Sequence, residues 1–230
     1  MKMNRLLIAA CVMAFSFFFS QTASAQVEIG VRVAPSVSSQ RITARDEYNL
    51  DNDGSKLNLG VGLVVDYFFG ANYAFGTGLM YNTKGAKIAY DHTFTDGSGG
   101  TTRISGRDKI GLQYLEIPLT VKLFTNEIAP ATKMYFQVGP SLNTLLGARF
   151  NGEKVDASGD KFTKRFSTFE VDILVGAGIE RQLGQSTKLI AGLSYHRGLT
   201  DVDKYYEKRL SDKKIELRNS TVALDLGIKF

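Results

Sequence analysis

The sequence predicts an all-β fold, an eight-stranded antiparallel up-and-down barrel, and three observations carry that prediction. Apolar and polar residues alternate with a period of two along most of the chain, which places successive side chains on opposite faces of a strand. The connections between the alternating segments are in turn long and short. The last ten residues, "TVALDLGIKF", hold the alternation to a terminal aromatic.

The strands are expected at Val27 to Ser38, Leu57 to Phe69, Tyr73 to Gly85, Lys109 to Phe124, Lys133 to Leu146, Phe166 to Arg181, Thr187 to Leu199 and Arg218 to Phe230. Most exceed the roughly five or six residues of soluble sheets and approach the length that crosses a bilayer at a tilt. Between them Ser39 to Lys56, Ala86 to Asp108, Gly147 to Arg165 and Thr200 to Leu217 are long and polar. Gly70 to Asn72, Thr125 to Thr132 and Gln182 to Ser186 are short, and no amphipathic helix is expected among them. Long extracellular loops opposite short periplasmic turns are the plan of a transmembrane barrel, and an even strand number leaves both termini on the periplasmic side.

Each strand has one uncharged face. Val222, Leu224, Leu226, Ile228 and Phe230 oppose Ala223, Asp225, Gly227 and Lys229; Val27, Ile29, Val31 and Val33 oppose Glu28, Gly30, Arg32 and Ala34. Leu115, Ile117, Leu119 and Val121 oppose Tyr114, Glu116, Thr120 and Lys122, and Val171, Ile173 and Val175 oppose Glu170, Asp172 and Gly176. A soluble barrel with an apolar cavity and a membrane barrel with a polar interior both use this pattern. The polar face is rich in glycine (Gly60, Gly62, Gly76, Gly78, Gly176, Gly178, Gly192), which suits a cramped interior and favours the membrane barrel.

Charges on an inner face are tolerable when paired. Antiparallel closure with Val27 opposite Phe230 would set Glu28 against Lys229 and Arg32 against Asp225, with Glu116 and Asp172 as further partners for Arg32. Aromatics around the short turns (Tyr67, Phe68, Phe69, Tyr73, Phe75; Phe124, Tyr135, Phe136) suit interfacial girdles. Pro35, Pro118 and Pro140 donate no ladder hydrogen bond and predict bulges.

Residues 1–25 read as a secretory signal peptide: Lys2 and Arg5, an apolar run from Leu6 to Phe19, and the small-residue pattern Ala23-Ser24-Ala25. That run is short of the ~20 residues of a membrane helix. Residues 26–230 form one domain. Cleavage would remove the only cysteine, Cys11, and leave no disulfide. Acidic and basic residues are nearly balanced and interspersed, which excludes nucleic acid as a partner.

Catalytic constellations are missing. His92 and His196 are the only histidines; Ser194 and His196 share a face without a Gly-x-Ser-x-Gly element, so His196 is expected as a hydrogen-bonded interior residue. Asp91-His92 in a glycine-rich loop resembles the Asp-His pair of outer-membrane proteases but suits turn chemistry better. "DNDGS" (Asp51 to Ser55) lacks the downstream glutamate of a calcium loop and predicts an Asx turn. "YYEKRLSDKKIEL" (Tyr205 to Leu217) predicts a solvated loop or an extended hairpin, and Arg149, Lys154, Lys161, Lys164 and Arg165 offer a basic patch for lipopolysaccharide phosphates. Neither an enzyme, a cofactor nor a metal is expected.

"GTGLMYNTKGAK" (Gly76 to Lys87), "YLEIPLTVKL" (Tyr114 to Leu123), "YHRGLTDV" (Tyr195 to Val202) and the terminal "LGIKF" together resemble the porin-family outer-membrane β-barrel proteins with a PorT-like domain. The resemblance implies an eight-stranded barrel in the outer membrane of a Gram-negative cell, surrounded by outer-membrane lipid. It implies that Phe230 is the carboxy-terminal signal read by the barrel-assembly machinery. It also implies a possible partnership with secretion-system proteins, PorT being associated with protein secretion.

Overall fold

The computed structural model describes residues 26–45, 48, 50–95, 100–210, 212 and 214–230. The signal segment 1–25 lies outside the described residues, as does the side chain of His92. Eight antiparallel strands close into a barrel in which each pairs with its neighbour in sequence and the last returns to the first. They are β1 (Val27–Thr43), β2 (Leu50–Gly70), β3 (Tyr73–Thr95), β4 (Thr101–Ala129), β5 (Thr132–Phe150), β6 (Phe169–Gln182), β7 (Lys188–Gly198) and β8 (Glu216–Lys229).

The apolar face points out. Val27, Ile29, Val31 and Val33 on β1 are 44–52% exposed, whereas Glu28 and Arg32 between them are 3% and 7% exposed. The same inversion holds on β8, where Val222, Leu224, Leu226 and Ile228 are exposed and Asp225 and Lys229 are buried. On that outer face Glu216, Arg218 and Ser220 give way to the apolar series at Val222, which marks the upper edge of the hydrocarbon belt.

The seam differs from expectation by two residues. Ile29, not Val27, lies opposite Phe230, with backbone hydrogen bonds in both directions (2.8 and 3.3 Å), and Arg32 faces Gly227. A shift of two keeps every side chain on its own face, so the alternation could not distinguish the two registers. Arg32 still reaches Asp225 along the diagonal, which a long side chain can span.

The strands run beyond the apolar alternation. β3 and β4 stay paired up to Thr95 and Thr101, so most of the expected loop from Ala86 to Asp108 is a hairpin. Backbone pairing needs no apolar outer face once the register is set; above the belt Ala86 and Ile88 turn inward and Lys87 outward, so the alternation inverts where a polar loop was expected. The prolines make no bulges either. The β3–β4 ladder skips Pro118 between Thr77–Leu119 and Met80–Glu116 without changing register, and β4–β5 skips Pro140 in the same way. Register shifts fall at Asn52/Gly54, Phe68/Gly70, Phe124/Glu127 and Glu127/Ala129, close to strand ends, and at Ser55/Gly60 and Gln113/Tyr114 within the ladders, none of them at a proline. The first is the "DNDGS" segment, where Asn52 Oδ1 accepts the Gly54 N–H (3.1 Å) and Gly54 takes φ 133°.

The expected girdle splits by parity. Tyr67, Phe69, Tyr73, Phe75 and Phe136 face out, the Phe69 ring lying 4.6 Å from Phe75 at a tilt of 33°. Phe68, Phe124 and Tyr135 instead pack into the lumen's lower end with Ala74 and Ile190.

Candidate functional site

The lumen is filled in two charged layers beneath an apolar cap. In the lower layer Lys229 on β8 is fully buried, its Nζ 2.6 Å from Glu180 on β6, 2.8 Å from Asp66 on β2 and 2.9 Å from Glu28 on β1. Lys122 on β4 adds a second bond to Asp66 (2.8 Å), and Lys188 on β7 pairs with Glu28. Three ammonium groups thus meet three carboxylates contributed by different strands. The rings of Phe68 and Phe124 lie under Lys229 at 5.8 and 5.7 Å, so the cations also face π-clouds. Below them a vestibule of about 380 Å³ opens to the periplasmic side between Phe68, Phe124, Lys133 and Lys188.

The upper layer is built around Lys84 and His196. Lys84 Nζ donates to Asp172 (2.7 Å) and to Asn143 (3.1 Å) and lies 3.5 Å from Glu170. Arg32 lies 3.6 Å from Asp225. His196 sits between Glu116 and Asp172, at 3.5 and 3.6 Å. Lys84 owes its position to the next residue: Gly85 adopts φ 154°, its carbonyl accepts and its N–H donates to the Ser38 hydroxyl, and a Cβ there would lie 2.2 Å from the Ile110 carbonyl. Gly178 and Gly192 likewise leave the space that Tyr135 occupies, since a Cβ on either would fall within 2.6 Å of the phenol oxygen.

Loops close the extracellular end. The fourth connection holds a short helix, α1 (Tyr205–Leu210), where a solvated loop was expected. Asp203 caps it, its carboxylate accepting the N–H groups of Tyr205, Tyr206 and Glu207 (2.9–3.2 Å). Asp201 accepts the N–H of Leu217 (2.8 Å) and ties the loop to β8. Burial raises both carboxyls above the ordinary aspartate range, against these hydrogen bonds. Phe162 and Phe166 of the third connection, with Val202, Tyr206 and Ile215 of the fourth, pack on Leu50, Ile88, Ile110 and Leu112 as a continuous apolar core. Tyr206 donates to Asp108 (2.8 Å); burial and that carboxylate push its phenol well up. Arg165 lies 4.6 Å over both Phe162 and Tyr205 and pairs with Asp156, and Lys164 pairs with Asp160. Neither belongs to an unpaired basic patch.

Of the residues singled out in the sequence, Glu28 and Lys229 meet in the lower layer, Arg32 and Asp225 in the upper, and Phe230 lies at the periplasmic rim, 62% exposed. Glu116 and Asp172 turn to His196 and Lys84 rather than to Arg32. Asp66 and Lys84 were not among them, although parity places both on an inner face, and the alternation turns Lys122, Glu170 and Glu180 inward without naming a partner. Lys84 was obscured because it ends an alternating segment where a loop was expected.

Long strands with an apolar outer band, a charged interior and connections alternating between short and long define an integral outer-membrane barrel of the small, filled kind. A family model described as "outer membrane protein beta-barrel domain" matches residues 19–204, and the chain belongs to that family. Its place is the bacterial outer membrane. Among solved structures, Neisserial surface protein A is 14% identical over 90% of this chain and 99% of its own, with a TM-score of 0.51. The outer membrane protein OprG from Pseudomonas aeruginosa is 12% identical over 90% and 97%, with a TM-score of 0.48. Ail, the attachment invasion locus protein of Yersinia pestis, is 14% identical over 89% and 99%, with a TM-score of 0.38. These similarities concern the fold. No curated protein matches the sequence.

Proposed function

We propose that the chain is a non-enzymatic outer-membrane barrel with a closed lumen, acting through its outer wall and extracellular cap. The observation that carries this reading is the continuity of the filling: an ion-paired layer, a second charged layer and an apolar cap follow one another along the axis. The cavity beside His196, lined by Arg32, Lys84, Glu116 and Asp225, has about 20 Å³ open to the centre of a water molecule. That is room for one water and not for an organic substrate.

On the outer wall Lys56 and Arg149 line a recess of about 220 Å³ with Leu57, Thr83 and Gln113. Leu57, Leu59 and Leu146 are exposed next to it, so the recess sits where the apolar belt ends. Phosphates of outer-leaflet lipid headgroups suit it. Phe230, exposed and hydrogen-bonded to Ile29 at the rim, serves in this reading as the signal for the barrel-assembly machinery after the signal peptide is cleaved.

Planar-bilayer recording tests the closed lumen. The folded protein should give no steady conductance, and a stable ohmic pore would establish the alternative, a narrow passive porin. A PorT-like component of a secretion system is the other role that the resemblance implies, with no motif that selects it; "YLEIPLTVKL" supplies Tyr114, Glu116, Thr120 and Lys122 to the lumen, and "GLTDV" supplies Asp201 and Val202 to the cap. Recovery of the chain in one complex with secretion proteins from native membranes would favour that role.

A further inference from the structure

We infer that Glu116, Asp172 and His196 form a binding site for one divalent transition-metal ion, of which zinc is the type. Glu116 Oε1, Asp172 Oδ1 and His196 Nδ1 are buried without a hydrogen-bond partner, and the three residues are 0%, 0% and 6% exposed. Of the other unpartnered carboxylate oxygens of the lumen, Glu28 Oε2, Asp66 Oδ1 and Glu180 Oε1 each have a lysine within 2.6–2.9 Å, and Glu170 Oε1 and Asp225 Oδ2 belong to no group of converging ligand atoms among the described residues. The three at His196 converge on one another. Nδ1 is 3.5 Å from Oε1 and 3.6 Å from Oδ1, and ligand atoms of the three residues lie within 4.8 Å of one another. Those separations are long for hydrogen bonds. They match the edge of a tetrahedral site, where ligands ~2.0–2.2 Å from zinc lie about 3.4 Å apart.

The opposite oxygen of each carboxylate is already held. Asn82 donates to Glu116 Oε2 (2.6 Å) and Lys84 and Asn143 donate to Asp172 Oδ2 (2.7 and 2.9 Å), while Ser194 Oγ, 3.5 Å from His196 Nε2, stands at the limit of a hydrogen bond that a bound ion would draw in. A metal site needs this second tier of contacts, which turns one oxygen or nitrogen of each ligand toward a common point. Charge argues the same way. In the lower layer three lysines meet three carboxylates, whereas in the upper layer Glu116, Asp172, Glu170 and Asp225 face only Lys84 and Arg32. With His196 neutral, as a metal ligand must be, the excess of two negative charges is what one divalent ion cancels. The adjoining cavity has space for a water as the fourth ligand. The ligands come from β4, β6 and β7, so no local spacing in the sequence announces them.

The test uses the full mature chain refolded in detergent, with folding checked by heat-modifiable migration, titrated with Co²⁺ as a spectroscopic probe and then with Zn²⁺ as competitor. The site predicts one Co²⁺ per chain with visible d–d absorption bleached by an equivalent of Zn²⁺. H196Q should lower Co²⁺ affinity at least 100-fold, and S194A, which touches only the second tier, about tenfold. Should H196Q not fold, the wild-type titration and S194A decide. Absence of a stoichiometric Co²⁺ spectrum in the folded wild type, with no zinc retained after dialysis, overturns the site; it would mean that His196 is protonated and simply bridges the two carboxylates. Bilayer conductance is independent of this result, so the closed lumen stands or falls separately.

Discussion

Replacing Lys229 by methionine is expected to cost about 3–5 kcal/mol of folding free energy, the magnitude seen when one partner of a buried ion pair is removed. Lys229 Nζ is the common partner of Glu28, Asp66 and Glu180, all within 2.9 Å, and the side chain is inaccessible to solvent. Methionine keeps the volume and leaves three carboxylates facing Lys122 and Lys188 alone. Urea unfolding from lipid vesicles reads the loss directly. K229M should either unfold at much lower urea or fail to reach the fast-migrating folded form before boiling. The charge-relieving double variant K229M/E180Q should recover part of the deficit, because Glu180, whose ion pair is with Lys229 while Asp66 keeps Lys122 and Glu28 keeps Lys188, is then neutral. A K229M protein as stable as the wild type would show that the lower layer does not hold the barrel together.

The second large effect is expected on the outside. Leu226 lies on the outer face of β8, flanked by Leu224 and Ile228, in the middle of the apolar series from Val222 to Phe230. Leu226→Arg places a guanidinium near the centre of the hydrocarbon and should destabilise the folded state by ~2–4 kcal/mol. Ser220→Arg, on the same face just above the belt, should cost under about 1 kcal/mol, since Arg218 already occupies the next outward position and the side chain can reach the headgroups. Equal costs at the two positions would contradict a lipid boundary at Val222.

The sequence disclosed the barrel through the regularity of β1 and β8, where no residue breaks the alternation over the belt. It disclosed which charges turn inward but not which of them meet, because the pairing depends on the stagger between strands and a two-residue slip leaves every face unchanged. Arg32–Asp225 tolerated that slip; the expected pairing of Arg32 with Glu116 and Asp172 did not form, and these two carboxylates pair with His196 and Lys84 instead. The cap was hidden for a different reason. Phe162, Phe166, Val202, Tyr206 and Ile215 are spread through polar connections without period, and only the closure of the barrel mouth brings them together. Helix α1 is six residues long, too short for a 3.6-residue period to show, and depends on the Asp203 cap.

In this barrel the apolar face of the sheet meets hydrocarbon while the charged face meets itself. The sequence contains no tryptophan, so a single one reports on its own surroundings. Leu224→Trp and Leu226→Trp, reconstituted in bilayers with bromine on the acyl chains, should lose most of their fluorescence to the bromine, and Phe166→Trp beneath the extracellular cap should keep most of its own. Full emission from the β8 tryptophans in brominated bilayers, with quenching by aqueous iodide instead, would contradict the membrane barrel.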